Sequence, residues 1–254
     1  MAIYKETTGQ GEDIVLFHGA ADNHKFMQPL VKLLSSRYRV TNIERPGSGL
    51  SDWNPSIASI DDLADEMLSE LPEKAIYIGW SFGGHVCMSI AARYPERVKR
   101  IIGICTSPKF IENDNWIGLP KPGFSPAFAG IHQIGYNPFV QAFIDGEFAS
   151  CEPKPAAYYE LTAILDRGTK RDLDILLKIM QLVDSSDVRK ELQAIRCPID
   201  LIFCENDAIA PVAAIEQIKK LNPAVQTFII ISAQHMPFWT HPVEFIKILN
   251  TLLK

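Results

Sequence analysis

The chain alternates short apolar runs with longer stretches in which apolar residues recur every three or four positions. Ile14-Val15-Leu16-Phe17, Ala75-Ile76-Tyr77-Ile78 and the segments 98–105 and 199–204 are runs of the first kind. Near-continuous apolar runs bounded by turn residues predict strands buried on both faces, as in a parallel sheet. Residues 2–8, 38–43 and 227–231 also read as strands. Helical spacing covers 26–34, the stretch carrying Ile60, Leu63, Ala64, Met67, Leu68 and Leu71, and the stretch after Gly84 with Val86, Met88, Ile90 and Ala91. It returns at Ile215 and Ile218, and at Phe245, Ile246, Leu249, Leu252 and Leu253. Ser59-Ile60-Asp61-Asp62 has the form of a capping box with Asp in place of Glu, and Pro72 stops the helix it opens. Pro211 and Pro242 stand near the starts of the last two helices.

Strand and helix therefore alternate up to residue 106, which predicts a mostly parallel sheet with helices on both faces. The pattern then breaks. Residues 107–155 hold seven of the seventeen prolines, together with Gly118, Gly123, Gly130, Gly135 and Gly146. Such density limits this part to short helices and turns. Helical spacing resumes at 158–165 and at Leu173, Leu176, Leu177, Met180 and Val183. The segment 107–185 is thus expected to be an inserted helical cap, with 1–106 and 186–254 forming the core.

Candidate chemistry sits where predicted strands end. Gly79-Trp80-Ser81-Phe82-Gly83 is a G-x-S-x-G between a strand and a helix, the context of a nucleophile elbow. A strand can turn into a helix in so few residues only with Ser81 in a strained conformation and glycines where a Cβ would collide. Ser81 then stands at the positive end of a helix, with the Phe82 N–H placed to bind an oxyanion. His18-Gly19-Ala20 follows the strand 14–17, and the Ala20 N–H is the expected second donor. His18 itself is read as a loop-packing residue. Asp207 follows the strand 199–204, and His235 follows the strand 227–231. The chain order Ser81, Asp207, His235 gives a nucleophile, an orienting acid and a base. Asp200 lies at the wrong end of its strand. Asp184 and Asp187 are weaker rivals at the cap's exit. His241 is read as an N-cap, and His85 and His132 follow no strand.

Composition narrows the classes. The chain has 254 residues, 47% of them hydrophobic, and a net charge of −5. That suits one α/β domain with an insertion and gives no general nucleic-acid surface. No run approaches the ~18 apolar residues of a membrane span, and MAIYKETTGQ lacks a signal pattern. Cys87, Cys105, Cys151, Cys197 and Cys204 form no C-x-x-C, and four of the five sit in or beside apolar runs, so reduced core thiols at those four, no metal site and a cytoplasmic compartment are expected.

His18-Gly19, Arg45-Pro46-Gly47-Ser48-Gly49-Leu50-Ser51, the elbow, Tyr94-Pro95-Glu96-Arg97-Val98, Asp207 and His235 together resemble the α/β-hydrolase superfamily over nearly the whole chain. Lys74 to Ser81 with Gly83-Gly84, then Pro95-Glu96-Arg97-Val98, Ser107-Pro108, Phe110 and Trp116, is similar to the carboxylesterase family that cleaves pimeloyl-[acyl-carrier protein] methyl ester in biotin synthesis. The resemblance implies an α/β-hydrolase fold, ester hydrolysis without cofactor, and Trp80, Phe82 and Phe143 lining the acyl site. It also implies an acyl carrier protein docking on basic cap residues. Here the corresponding positions are Pro138, Ala142, Pro155 and Tyr159, none of them basic; Lys154, Arg167, Lys170 and Arg171 lie nearby. The same triad serves general short-chain esterases, C–C bond hydrolases and perhydrolases, and some ligand receptors on this fold retain it.

Overall fold

Ile14 and Leu16 pack on one face of a central sheet and Val15 and Phe17 on the other, all four at most 2% exposed. A strand sends successive side chains to opposite faces, so a run without a polar member needs apolar cover on both sides. The computed structural model describes residues 1–166 and 172–254. Among these, seven strands form the sheet: β1 (Lys5–Thr8), β2 (Glu12–Phe17), β3 (Tyr38–Ile43), β4 (Ala75–Trp80), β5 (Val98–Ile104), β6 (Ile199–Cys204) and β7 (Gln226–Ile230). Their order is β1-β3-β2-β4-β5-β6-β7. β1 runs antiparallel to β3, and the other pairs are parallel.

The helices are α1 (Gln28–Leu34), α2 (Ile60–Leu68), α3 (Phe82–Arg93), α4 (Ser125–Ala129), α5 (Ile131–Ile134), α6 (Tyr136–Glu147), α7 (Ala156–Asp166), α8 (Leu173–Ser185), α9 (Arg189–Ala194), α10 (Ile215–Leu221), α11 (Pro237–Thr240) and α12 (Pro242–Leu252). Leu30 and Leu34 of α1, Phe238 of α11 and Phe245 and Leu249 of α12 cover the face of Ile14 and Leu16. Leu63 of α2, Val86 and Ile90 of α3, Leu192 of α9 and Ile218 of α10 cover the other. Fully burying one such side chain stabilises the fold by roughly 1.5–3 kcal/mol. Between β5 and β6 the described chain holds α4 to α9 and isolated bridges such as Lys109 with Asp187, and no strand of the sheet.

The capping box forms as expected. The Asp62 N–H donates to Ser59 Oγ at 3.1 Å, and the Ser59 N–H donates back to Asp62 Oδ2 at 2.9 Å. Several element edges differ from expectation: β2 already begins at Glu12, and β5 ends at Ile104, one residue short. β1 starts at Lys5, and β7 lies one residue earlier than the pattern suggests. The helix at 26–34 opens with a 3-10 turn from His24 to Met27, because the Asn23 side chain accepts the Lys25 N–H at 2.9 Å and tightens the entry. β4 continues to Trp80, since Gly79 pairs in register with Phe17 and Gly103 on either side. No described helix is long and apolar enough to cross a membrane.

Candidate active site

The turn from β4 into α3 puts Ser81 at φ 53°, ψ −123°, a region L residues avoid. The strain is held from both sides. The Ser81 N–H donates to the Ile104 carbonyl at 2.9 Å, and the Gly84 N–H donates to the Ser81 carbonyl at 2.9 Å. A Cβ on Gly79 would lie 2.6 Å from the Gly83 carbonyl carbon, and one on Gly83 would strike the Phe17 carbonyl. Both flanking glycines are therefore required by close backbone approach. The Phe82 N–H belongs to the first turn of α3, where helical N–H groups have no intrahelical acceptor.

Asp207 lies three residues beyond β6 and His235 five beyond β7. A carboxylate only accepts, so His235 Nδ1–H donates to Asp207 Oδ2, at 2.9 Å. Asp207 Oδ1 accepts the N–H of Ile209 at 2.8 Å and of Ala210 at 3.2 Å. Burial acts to raise the Asp207 pKa, but the His235 charge and hydrogen bond, with those two amides, outweigh it and hold it below the ordinary value. Burial likewise disfavours a charged His235, yet Asp207, Glu147 and Asp22 outweigh it and raise the imidazole pKa. The indole N–H of Trp80 donates to the His235 carbonyl at 2.8 Å, tying the His235 loop to the end of the elbow strand.

The loop after β2 is fixed from below. His18 Nδ1 lies 2.7 Å from Asp22 Oδ1, and the buried Arg45 guanidinium donates to the carbonyls of Gly19 and Ala20. Burial, then the Arg45 charge, lower the His18 pKa. His18 thus shapes the loop that carries Ala20.

Ser81, His235, Trp80, Phe143 and Ala20 line one cavity of about 640 Å³, roofed by α6 and by Phe128 of α4. The Phe82 side chain is not part of that lining. It is fully buried, with its ring 5.7 Å from that of His85, because the first residue of α3 turns its side chain under the elbow. A second cavity of about 260 Å³ shares Phe143 and His235 with the first and is lined by Glu147, Asn206, Asp207 and Gln234.

The rival groups lie elsewhere. Asp200 is at the start of β6, 3.4 Å from Arg100. Asp184 accepts the Phe124 N–H at 2.8 Å, and Asp187 pairs with Arg189 and Lys109 at 2.6 and 3.3 Å. His241 occupies the N-cap position of α12 but makes no side-chain cap there; its Nδ1 meets Thr240 Oγ1 at 3.0 Å. His132 faces Asp174 at 3.1 Å. Lys154 is spent inside its own turn, on the carbonyls of Phe148 and Cys151 at 2.8 and 3.1 Å and on Glu152 at 2.9 Å. Pro138 and Ala142 border the larger cavity, Tyr159 is exposed, and Arg167, Lys170 and Arg171 lie outside the described residues. All five cysteines are free thiols. Donor atoms of Cys105, Asp207 and His235 lie within 4.8 Å of one another. Asp207 and His235 are already bonded to each other, however, and burial, with Cys204 3.4 Å away, holds the Cys105 thiol protonated.

Residues 14–242 match the family described as alpha/beta hydrolase fold, and the chain belongs to that family. It is a hydrolase of this superfamily. In sequence it is similar to a pimeloyl-[acyl-carrier protein] methyl ester esterase of Aeromonas hydrophila subsp. hydrophila, 31% identical over 254 residues that cover 98% of each chain. In fold it is similar to the enol-lactonase from Burkholderia xenovorans LB400, with a TM-score of 0.83, 19% identity and 99% and 96% of the two chains covered. An esterase from Exiguobacterium antarcticum gives a TM-score of 0.85 at 18% identity, covering 98% and 94%.

Proposed function

We propose that the protein is a serine-dependent carboxylesterase acting on the methyl ester of a pimeloyl chain carried by acyl carrier protein. The observation that carries the catalytic reading is the hydrogen bond from His235 Nδ1–H to Asp207 Oδ2, 2.9 Å, on a histidine that opens into the same cavity as Ser81. With its proton fixed on Nδ1, the ring keeps Nε2 free to take the Ser81 proton. Ser81 Oγ attacks the ester carbonyl carbon, and the N–H groups of Ala20 and Phe82 hold the resulting oxyanion. His235 then gives the proton to the departing alcohol, leaving an acyl-enzyme. Water, deprotonated by the same imidazole, attacks that ester, and the acid leaves as Ser81 recovers its proton. Asp207 stays ionised and stabilises the imidazolium throughout.

The segment 107–185 serves in this reading as the cap, with Trp80 and Phe143 at the acyl site. The largely apolar cavity suits an acyl chain. The carrier-linked substrate is supported by the relative from Aeromonas hydrophila. A short-chain ester unattached to any carrier is the second reading, favoured by Pro138 and Ala142 at the cavity edge and by the internal use of Lys154. Steady-state hydrolysis of pimeloyl methyl ester, free and carrier-linked, beside methyl esters of other chain lengths, separates the two. The proposal expects the highest kcat/KM for the carrier-linked pimeloyl ester. Equal rates for free and linked esters would favour the second reading.

A further inference from the structure

α6 crosses the larger cavity and is fastened to the core at both ends. At its start the Tyr136 hydroxyl donates to the Ala21 carbonyl at 2.6 Å, beside the loop that carries Ala20. At its last residue the Glu147 carboxylate accepts two backbone N–H groups of the segment that carries the base. These are His235 N–H at 3.1 Å and Met236 N–H at 2.8 Å, one on each carboxylate oxygen. The Gln234 side chain adds a bond to the Gly146 carbonyl at 2.9 Å, and Phe143 sets its ring edge-on to the imidazole, 6.2 Å between centroids. Glu147 is only 6% exposed. A buried carboxylate far from its partners in sequence is costly to desolvate unless it is fully used. Here its two oxygens are used on consecutive amides of one loop.

We propose that Glu147 is a positioning residue for His235, its carboxylate fixing the backbone of residues 235 and 236, so that a competent base requires α6 seated over the cavity. This inference rests on the catalytic reading above. The fixed backbone sets where the imidazole can swing, while Asp207 sets its rotation and tautomer. Three carboxylates act on the ring charge: Asp207 from the loop after β6, Glu147 from α6 and Asp22 from the loop after β2. Glu147 is itself faced by His235 and Asp207; burial raises its pKa, against the opposing pull of the imidazole and the two amides. The neighbouring Cys105 thiol stays protonated and adds no charge.

The experiment is steady-state hydrolysis of p-nitrophenyl butyrate across pH 5 to 9 by the wild type, Glu147→Ala, Glu147→Gln and Tyr136→Phe, with thermal unfolding of each. Loss of the fixed backbone in Glu147→Ala is expected to lower kcat about 10- to 100-fold, the scale of a small misplacement of a reacting group, with KM within about threefold. Glu147→Gln keeps the shape and one acceptor but removes a negative charge that favours imidazolium. It is expected to recover part of kcat and to move the acidic limb of kcat/KM to lower pH. Tyr136→Phe loosens the other end of α6 and should leave that limb in place. Should Glu147→Ala not fold, the pH limb and kcat of Glu147→Gln decide alone. Wild-type kcat and an unmoved acidic limb in the Glu147 variants would overturn the inference, as would a change confined to KM. Fluorophosphonate labelling of Ser81 and loss of turnover in His235→Ala, measured alongside, test the parent reading. If these fail, the triad falls and Glu147 with it; if they hold while the Glu147 variants behave as wild type, only the positioning role falls.

Discussion

The Ser186 hydroxyl donates to Nδ1 of His85 at 2.8 Å, on a histidine that no water reaches. The opposite nitrogen, Nε2–H, donates to the Ser107 carbonyl at 2.6 Å, and the ring stacks on Phe110 with centroids 4.5 Å apart. One side chain of the elbow helix thus joins both ends of the chain segment that leaves and re-enters the core. Burial pushes its pKa down to about 4, against the pull of the Ser107 carbonyl.

This neutral histidine makes stability depend on acid. With a folded pKa of about 4 against an ordinary value of 6.5, its contribution is complete above pH 6.5 and is lost as pH falls toward 4, because only the unfolded chain binds the proton. Between pH 7.5 and pH 5 the loss is about 2 kcal/mol. His85→Gln can make both hydrogen bonds and does not titrate. Urea unfolding at the two pH values should show a smaller drop in the variant by about that amount; an identical drop would place the acid sensitivity elsewhere.

Asp207→Asn presents an amide to Nδ1 and lets the proton move to Nε2, the nitrogen that accepts from Ser81 in the proposed mechanism. A fall in kcat of about 10⁴-fold is expected, with KM changed only a few-fold. Asp184 and Asp187 are engaged at the Phe124 amide and at Arg189 and Lys109, so Asp184→Asn and Asp187→Asn should not reproduce it. A loss of that size in either, with Asp207→Asn active, would reassign the acid.

Elbow glycines and the α6 glycine should respond in opposite directions to the same methyl group. In Gly83→Ala the Cβ meets the Phe17 carbonyl, which cannot yield, and a loss of roughly 3 kcal/mol or failure to fold is expected. At Gly146, inside α6, a Cβ meets nothing within 4 Å, so Gly146→Ala should gain about 0.5–1 kcal/mol from helix propensity. Urea midpoints report both, and a tolerated Gly83→Ala would contradict the packing described for the elbow.

What the chain reveals in advance and what it hides follow physical lines. The strands at 14–17 and 75–78 are legible because apolar runs can be buried only one way, and the box at Ser59 and Asp62 because capping is local. Gly79 and Gly83 are legible because their neighbours lie within the same elbow or in the adjoining strand. Glu147 is not legible: along the sequence it is one acid at the end of a Pro- and Gly-rich stretch. Its burial depends on α6 meeting a loop 88 residues away. His85 hides for the same reason, its partners lying 22 and 101 residues distant. The direction of the Phe82 side chain depends on the elbow's own dihedral angles, which spacing does not encode.

Reversing the charge of Lys170 and Arg171 to Glu tests the carrier-protein reading by sequence alone. A several-fold rise in KM for the carrier-linked ester is expected, weakening as salt passes ~0.15 M, where the screening length is ~8 Å. A short p-nitrophenyl ester should be hydrolysed as before. Equal losses on both substrates would point to damage of the segment 107–185 itself.

The nucleophile is tested most directly by mass spectrometry after reaction with a fluorophosphonate. The proposed mechanism predicts one adduct per chain, mapped to Ser81, absent from Ser81→Ala, with kcat of that variant lowered about 10³-fold or more while it stays folded. An adduct on another serine, or one that persists in Ser81→Ala, would contradict it.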